Sequence, residues 1–491
     1  MEPEHLRFGG GATETVLHPL VAVWLILAIL LILTLRRDKA IIPFLLAFFT
    51  IPVGQVVLAG GLHLTALRIL ILAGLARRIA SSGQSSEGRF PGKYNPIDQA
   101  VVLWTISTLV VISLQWMNSQ ALVKNLGDFL DALGGFLVVR FLITDGNAVR
   151  RAIKVLAAIC VIQGASMLIE RITLFNVFAL VGGGFTVLRD GVPRSQGVLG
   201  CIAAGAFAGI LAPLFMYLWA EGNSKSRVAA GAGIVGAAAM AVTSNSSTAW
   251  MAIMGSLVGL AFWRFRTRMR NIRWGLVIVL IGLHLVMKAP VWALIARIDL
   301  TGSSSSWQRY ALVDMTIRHF SDWWLLGYRY YNNWGWGAWD TVNEFVDVAL
   351  KGGLLTLSLY ILILKRSFGA IGNARKQVNG DREQEWFLWC LGSALFASIV
   401  ASFGINFMAQ LIVLLFTLLA CISVATSEVR PFAQTAEVPA QVPVAFSPRN
   451  VGTPLLPHEE GEKARHNFPT PALPKDLSLR GRERITSLRR F

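Results

Sequence analysis

Charge is scarce in this sequence. Asp, Glu, Lys and Arg make up 15% of its 491 residues against 54% hydrophobic, and the mean hydropathy is positive at +0.56. So little charge cannot solvate the surface of an ordinary soluble domain of this length, which excludes that class. Cysteine is scarcer still. Cys160, Cys201, Cys390 and Cys421 all fall in apolar runs, and without a CxxC or Cys/His spacing they indicate neither a disulfide framework nor a zinc site. They read as small core residues. No internal repeat and no matched pair of interrupted apolar segments is present, which argues against many secondary transporters.

What the sequence does have is a succession of apolar runs, each able to supply the ~20 residues of one helical bilayer crossing. Spans are expected at about 16–35, 40–60, 61–76, 98–116, 125–144, 152–174, 197–220, 228–244, 247–263, 274–294, 343–364, 386–403 and 407–425. The expected fold is therefore all-α: a polytopic membrane protein of about 12–13 transmembrane helices over residues 1–426. The first apolar segment is followed by a dozen more, so it reads as a span and not as a cleaved signal.

Basic residues orient the chain. If alternate loops share a side, 32 of the 45 Lys and Arg fall on one side and 8 on the other, the bias of cytoplasmic loops. The net charge of +17 is thus mostly a topology signal, and nucleic-acid binding is not indicated. The N-terminus and two sizeable loops, 175–196 and 295–342, are expected outside the cytoplasm. The tail, 427–491, is expected on the cytoplasmic side. It holds nine of the eighteen prolines and little apolar periodicity, the composition of a disordered segment.

The larger outer loop carries six of the sixteen tryptophans and four of the seven tyrosines, concentrated in "YRYYNNWGWGAWD". Two mechanisms produce such a cluster: a belt of rings at the lipid headgroups, or flat platforms with hydrogen-bonding tips, suited to sugar rings. Tyr328, Tyr330, Trp334, Trp336 and Trp339 are the candidate platforms. The same two loops hold arginines against the inward bias: Arg189 and Arg194 in one, Arg309, Arg318 and Arg329 among those in the other. Arginine's planar fork suits phosphate oxygens and keeps its charge in a partly dry site. Within the spans, Asp347 and Lys351 are spaced as a local ion pair. Arg68 and Arg140 have no partner nearby in sequence, so a buried polar cavity is expected around them.

The order of these features resembles the O-antigen polymerase/ligase superfamily. "VPRSQGVLG" (192–200) leads into a span. "VTSNSSTAWMAIMGSLVGLAF" (242–262) resembles the family's Thr/Ser-rich turn and following helix. "SSWQRYALVDMTIRHFSDWWLLGYRYY" (305–331) resembles its large periplasmic loop, and "TVNEFVDVALKGGLLTL" (341–357) the segment where the family usually has His-Asn. The resemblance covers roughly residues 190–420 and implies a C-type glycosyltransferase-like membrane fold in a bacterial inner membrane. It further implies a metal-independent, cofactor-free glycosyltransferase that handles undecaprenyl-diphosphate-linked oligosaccharide at the periplasmic face. Polymerases join repeat units, with a chain-length regulator as a possible partner; ligases pass finished glycan to lipid A core. By position, Arg194 and Arg309 match the family's two loop arginines. The His-Asn reads Val342-Asn343 here, and the missing histidine weighs against the ligase.

The chemistry fits the residues independently. Attack of an acceptor hydroxyl on a lipid-linked anomeric carbon expels a diphosphate, and cations should meet that charge as it develops. Arg194 and Arg309 are the candidates, with Arg189, Arg318 and Arg329 as further contacts. Glu344, beside Asn343, is the candidate base, followed by Asp340 and His319. No DxD-type carboxylate cluster occurs in either outer loop, so no metal is expected. A polysaccharide polymerase is the leading expectation, an O-antigen ligase the second. A lipid-linked oligosaccharide flippase, which would depend on Arg68 and Arg140, is the alternative from another class.

Overall fold

The computed structural model describes residues 15–60, 62–81, 94–189, 191–297, 305–335, 337–338, 340–378 and 380–428. All of them belong to the first of two units into which the chain divides, Met1–Thr435. The tail, apart from Ser427 and Glu428, lies outside the described residues.

Among the described residues the protein is mostly helical, with nine helices long and apolar enough to cross a membrane. Two shorter apolar helices, α1 (Pro19–Thr34) and α2 (Ile41–Thr50), come first. The span expected at about 40–60 is not continuous. After α2 the chain turns into a hairpin of β1 (Val56–Ala59) and β2 (Leu62–Thr65), with Val57 opposite Leu64, before α3 (Ala66–Ser81). VVLA is apolar throughout and LHLT alternates, so the stretch fits a strand pair as well as an apolar run, and the turn at Gly60, with φ 57°, decides between them.

Next comes α4 (Pro96–Trp116), opened by a capping box in which Asn95 and Asp98 bond each other's backbone and Pro96 occupies the first turn. The span expected at 125–144 is also broken: α5 (Ser119–Phe129) passes through a π-helical turn at Leu130–Gly134 into α6 (Gly135–Leu142). Then follow α7 (Gly146–Thr173), a second hairpin of β3 (Val187–Arg189) and β4 (Val192–Arg194), α8 (Cys201–Ala220), α9 (Ser224–Thr243) and α10 (Ser247–Ala261). Helices α7 and α9 meet at glycine. A Cβ on Gly164 would lie 2.5 Å from the Gly236 carbonyl oxygen, so the two backbones touch as small-residue membrane helices do. This contact holds α9 directly against α7.

Helix α11 (Met269–Val286) is apolar yet has no buried residue. A short α12 (Leu294–Arg297), α13 (Ser305–Arg318) and α14 (Phe320–Trp323) lead to α15 (Glu344–Gln377), α16 (Arg382–Ser402) and α17 (Gln410–Ser427). Helix α15 is interrupted at Gly353, whose φ of 68° and ψ of −169° lie outside the helical region. Only glycine takes that conformation cheaply. The break frees main-chain groups that the preceding segment then uses: Leu354 N donates to Trp324 O (2.8 Å), and Tyr328 N donates to Leu350 O (2.8 Å).

Candidate functional site

The segment between α7 and α8 is built around one carboxylate. Glu170 is fully buried and accepts hydrogen bonds from Thr186 Oγ1 (2.9 Å), Gln196 N (2.8 Å) and Gly197 N (2.9 Å). Arg171 donates to the Pro193 carbonyl. Ser195 donates its hydroxyl to Met167 O (2.9 Å) and its amide to Thr243 O (3.1 Å). These bonds carry Arg194, at the end of β4, to the turn between α9 and α10, where its Nε donates to Ser244 O (3.4 Å).

Arg309 reaches the same turn from α13. Its Nη2 donates to Ser247 Oγ (2.8 Å) and Thr248 Oγ1 (3.3 Å), while Thr248 Oγ1 donates to Gly404 O (2.9 Å). Both arginines are at least nine-tenths buried. Two guanidinium groups from separate segments thus converge on "SNSST", a stretch that Ser246 caps by accepting from Thr248 N. Ser244, Ser247 and Thr248 were not among the expected site residues. Their signal in the sequence was the run of hydroxyls between two apolar helices, the stretch that resembles the family's Thr/Ser-rich turn.

The loop between α16 and α17 joins this turn to a second cluster. Gly404 belongs to the arginine side. Two residues on, Asn406 Nδ2 donates to Thr341 Oγ1 (3.5 Å), and Phe407 N donates to the Glu344 carboxylate. Thr341 donates to Asp347 (2.9 Å), and Lys351 pairs with Asp347 at 2.5 Å across one helical turn, as its spacing predicts. Asn343 caps α15 through its side-chain oxygen, which accepts from Phe345 N and Val346 N. Beside it Asp340 is half-buried, and burial, then the Asp347 carboxylate, raise its carboxyl above the usual range.

Glu344, Asp347 and Lys351 line a cavity of about 510 Å³, together with Trp104, Gln115 and Tyr331 among others. Arg329 and Tyr328 also line it. Arg329 lies over the Trp116 ring (4.9 Å) and the Tyr330 ring (4.5 Å). The aromatic run is partly spent on itself. Trp334 stacks on Tyr328 (5.4 Å, 6° between planes) and on His319 (4.7 Å, 12°), while Tyr330 meets Tyr328 edge-on and is half exposed. Trp336 and Trp339 lie outside the described residues. Arg318 is exposed and pairs with Asp314 (2.7 Å) one turn away; Arg189, on β3, is half-buried opposite Val192. Val342, where the resembled family has histidine, packs against a small core of Leu312, Trp323 and Leu350.

The expectation for Arg140 fails. It pairs with Asp98 at 3.2 Å, both almost fully buried, so a carboxylate from another helix stands where a polar cavity was expected. Arg68 bonds Asp128 (3.2 Å) and Asp131 (2.9 Å). Those two carboxylates line the 510 Å³ cavity; Arg68 itself serves to hold them. Both arginines find partners some 40 to 60 positions away, a distance over which helical spacing says nothing about contact. No family model matches the chain, and no curated protein matches it.

Proposed function

We propose that this protein is a metal-independent membrane glycosyltransferase of the polysaccharide polymerase type. It transfers undecaprenyl-diphosphate-linked glycan onto a lipid-linked acceptor at the periplasmic face of a bacterial inner membrane. The observation that carries this is the convergence of Arg194 and Arg309 on the Ser244–Thr248 turn. Two buried cationic forks within reach of one turn suit an anion of several charges, and a diphosphate leaving group gains charge as the glycosidic bond breaks. A base for the acceptor hydroxyl is at hand in Glu344, buried and lining a cavity large enough for a ligand. In a flippase Arg68 and Arg140 would have to act from within interhelical ion pairs.

The test is a deletion strain complemented with the wild-type chain or with Arg309→Ala. A polymerase predicts that deletion leaves single repeat units, restored to long chains by the wild type. Arg309→Ala should lower transfer roughly 100- to 1,000-fold, the loss that follows removal of one transition-state donor. Unattached long chains in the deletion strain would make it a ligase, and an unchanged glycan profile would sink both readings.

A further inference from the structure

A second cavity, of about 330 Å³, lies on the other side of the loop between α16 and α17. Its wall includes Gln196, Gly200, Ala203, Phe207 and Asn406, and the two cavities share two wall residues, Met408 and Ala409. Each cavity falls within the range of roughly 300–1,000 Å³ of ligand sites. The dividing loop is secured at four points. Gly404 O accepts from Thr248, Asn406 donates to Thr341, Phe407 N bonds Glu344, and Gln410 donates to the carbonyls of Phe48 and Ile51. Ala409 has φ 46°, a conformation an L-residue holds only where its surroundings impose it. Met408, between these anchors, is 58% exposed. It is an apolar side chain presented to open space on a fixed backbone.

The two chambers differ in charge. The larger is lined by four carboxylates, Asp128, Asp131, Glu344 and Asp347, and by three cations, of which Lys124 and Lys351 are already paired to carboxylates. Its carboxylates are offset by Lys124, Lys351 and Arg68, and such a wall offers both acceptors and donors to sugar hydroxyls. Among the described residues, no ionised side chain lines the smaller. Its Gln196 lies two residues from Arg194, on the side of the arginine turn.

Resting on the transfer function proposed above, we infer that Met408 and Ala409 form a partition between two sugar chambers. The 510 Å³ chamber holds the uncharged end of the acceptor glycan, and the 330 Å³ chamber holds the first sugars of the diphosphate-linked donor. In the reaction an acceptor hydroxyl at the rim of the larger chamber forms the new bond to the anomeric carbon at the edge of the partition, beside the exposed Met408 side chain, where the two chambers meet. The bond from that carbon to the diphosphate breaks, the diphosphate leaves with the electron pair toward Arg194 and Arg309, and the hydroxyl proton passes to Glu344. Met408 is a positioning residue that keeps each glycan in its own chamber.

Filling each chamber separately tests this. Full-length protein in lipid nanodiscs is titrated with two probes, undecaprenyl diphosphate carrying the host's repeat unit and the same repeat-unit oligosaccharide without lipid or diphosphate. Thr108→Trp, which narrows the larger chamber, should weaken the free oligosaccharide roughly tenfold or more and leave the tighter, diphosphate-anchored binding of the lipid-linked probe within about twofold. Ala203→Trp, in the smaller chamber, should do the reverse. The milder Thr108→Leu and Ala203→Val give the same pattern at smaller size if the tryptophan variants do not fold. Both probes responding to the same filling, or each to the wrong one, would overturn the partition while leaving a glycan-handling protein. Failure of the wild type to bind either probe would overturn the transfer function together with it.

Discussion

Glu170 offers a direct measure of how the Arg194 segment is held. Its Oε1 accepts from Thr186 Oγ1 and Gln196 N, and its Oε2 accepts from Gly197 N, all at 2.8–2.9 Å in a fully buried setting. In Glu170→Gln the amide oxygen can take over the first two bonds, but the amide NH2 then faces the Gly197 N–H, donor against donor. One bond to a charged group is lost, worth about 1.5–3 kcal/mol, and the Gly197 donor is left buried without an acceptor. Allowing for overlap between those two effects, the cost is about 2–4 kcal/mol. At 1.4 kcal/mol per decade, local opening of the 195–198 backbone becomes roughly 30- to 1,000-fold more populated. Hydrogen exchange followed by mass spectrometry in nanodiscs reads this as lost protection at Gln196 and Gly197, and peptides from α16 serve as the unaffected reference. Transfer should fall with it, because Arg194 reaches the turn only while Ser195 is bonded to Met167 and Thr243. Unchanged protection at these two amides in Glu170→Gln would show that the carboxylate does not organise the segment.

Three further outcomes are expected. Arg140→Met strands the buried Asp98 carboxylate and should cost about 3–5 kcal/mol in thermal unfolding of the solubilised protein, partly recovered in the double variant with Asp98→Leu; wild-type stability in the single variant would contradict the buried pair. Gly353→Ala puts a Cβ 2.5 Å from the Leu325 carbonyl oxygen at a positive φ. It should destabilise by at least ~1 kcal/mol and expose 324–328 to limited proteolysis, whereas an unchanged cleavage pattern would argue against the break. Purified protein should keep full transfer activity in excess chelator, and loss of activity restored by a divalent cation would refute metal independence.

The sequence made the long spans legible. The runs at 152–174 and 197–220 correspond to α7 and α8 with ends shifted by a few residues, because an apolar run of that length has one common solution in lipid. It misjudged 40–60 and 125–144: Pro52 stands just past the end of α2, but apolar residues continue on both sides of it into the β-hairpin, and the π-helical turn at Leu130–Gly134 interrupts its run with no proline at all. Arg194 and Arg309 were visible as arginines against the inward bias, but their meeting at Ser244–Thr248 depends on which helices are neighbours, and α7 and α9 owe that to Gly164 and Gly236. The rings of 328–334 were conspicuous by composition. Composition does not say that Trp334 stacks on Tyr328 and His319, nor that Arg329 covers Trp116.

The bare helix α11 ties the site to its solvent. Its 18 residues span ~27 Å at 1.5 Å each, slightly less than the ~30 Å hydrocarbon core of a typical bilayer. Among the described residues no protein buries its length, so in a bilayer its depth and tilt would be set largely by lipid. Its far end is clasped to the segment that carries Arg309: His284 stacks on Trp292 (5.8 Å), and Trp292 Nε1 donates to Asp314 (3.1 Å) on α13. Whatever shifts the end of α11 is therefore linked, through Trp292 and Asp314, to the helix that carries Arg309.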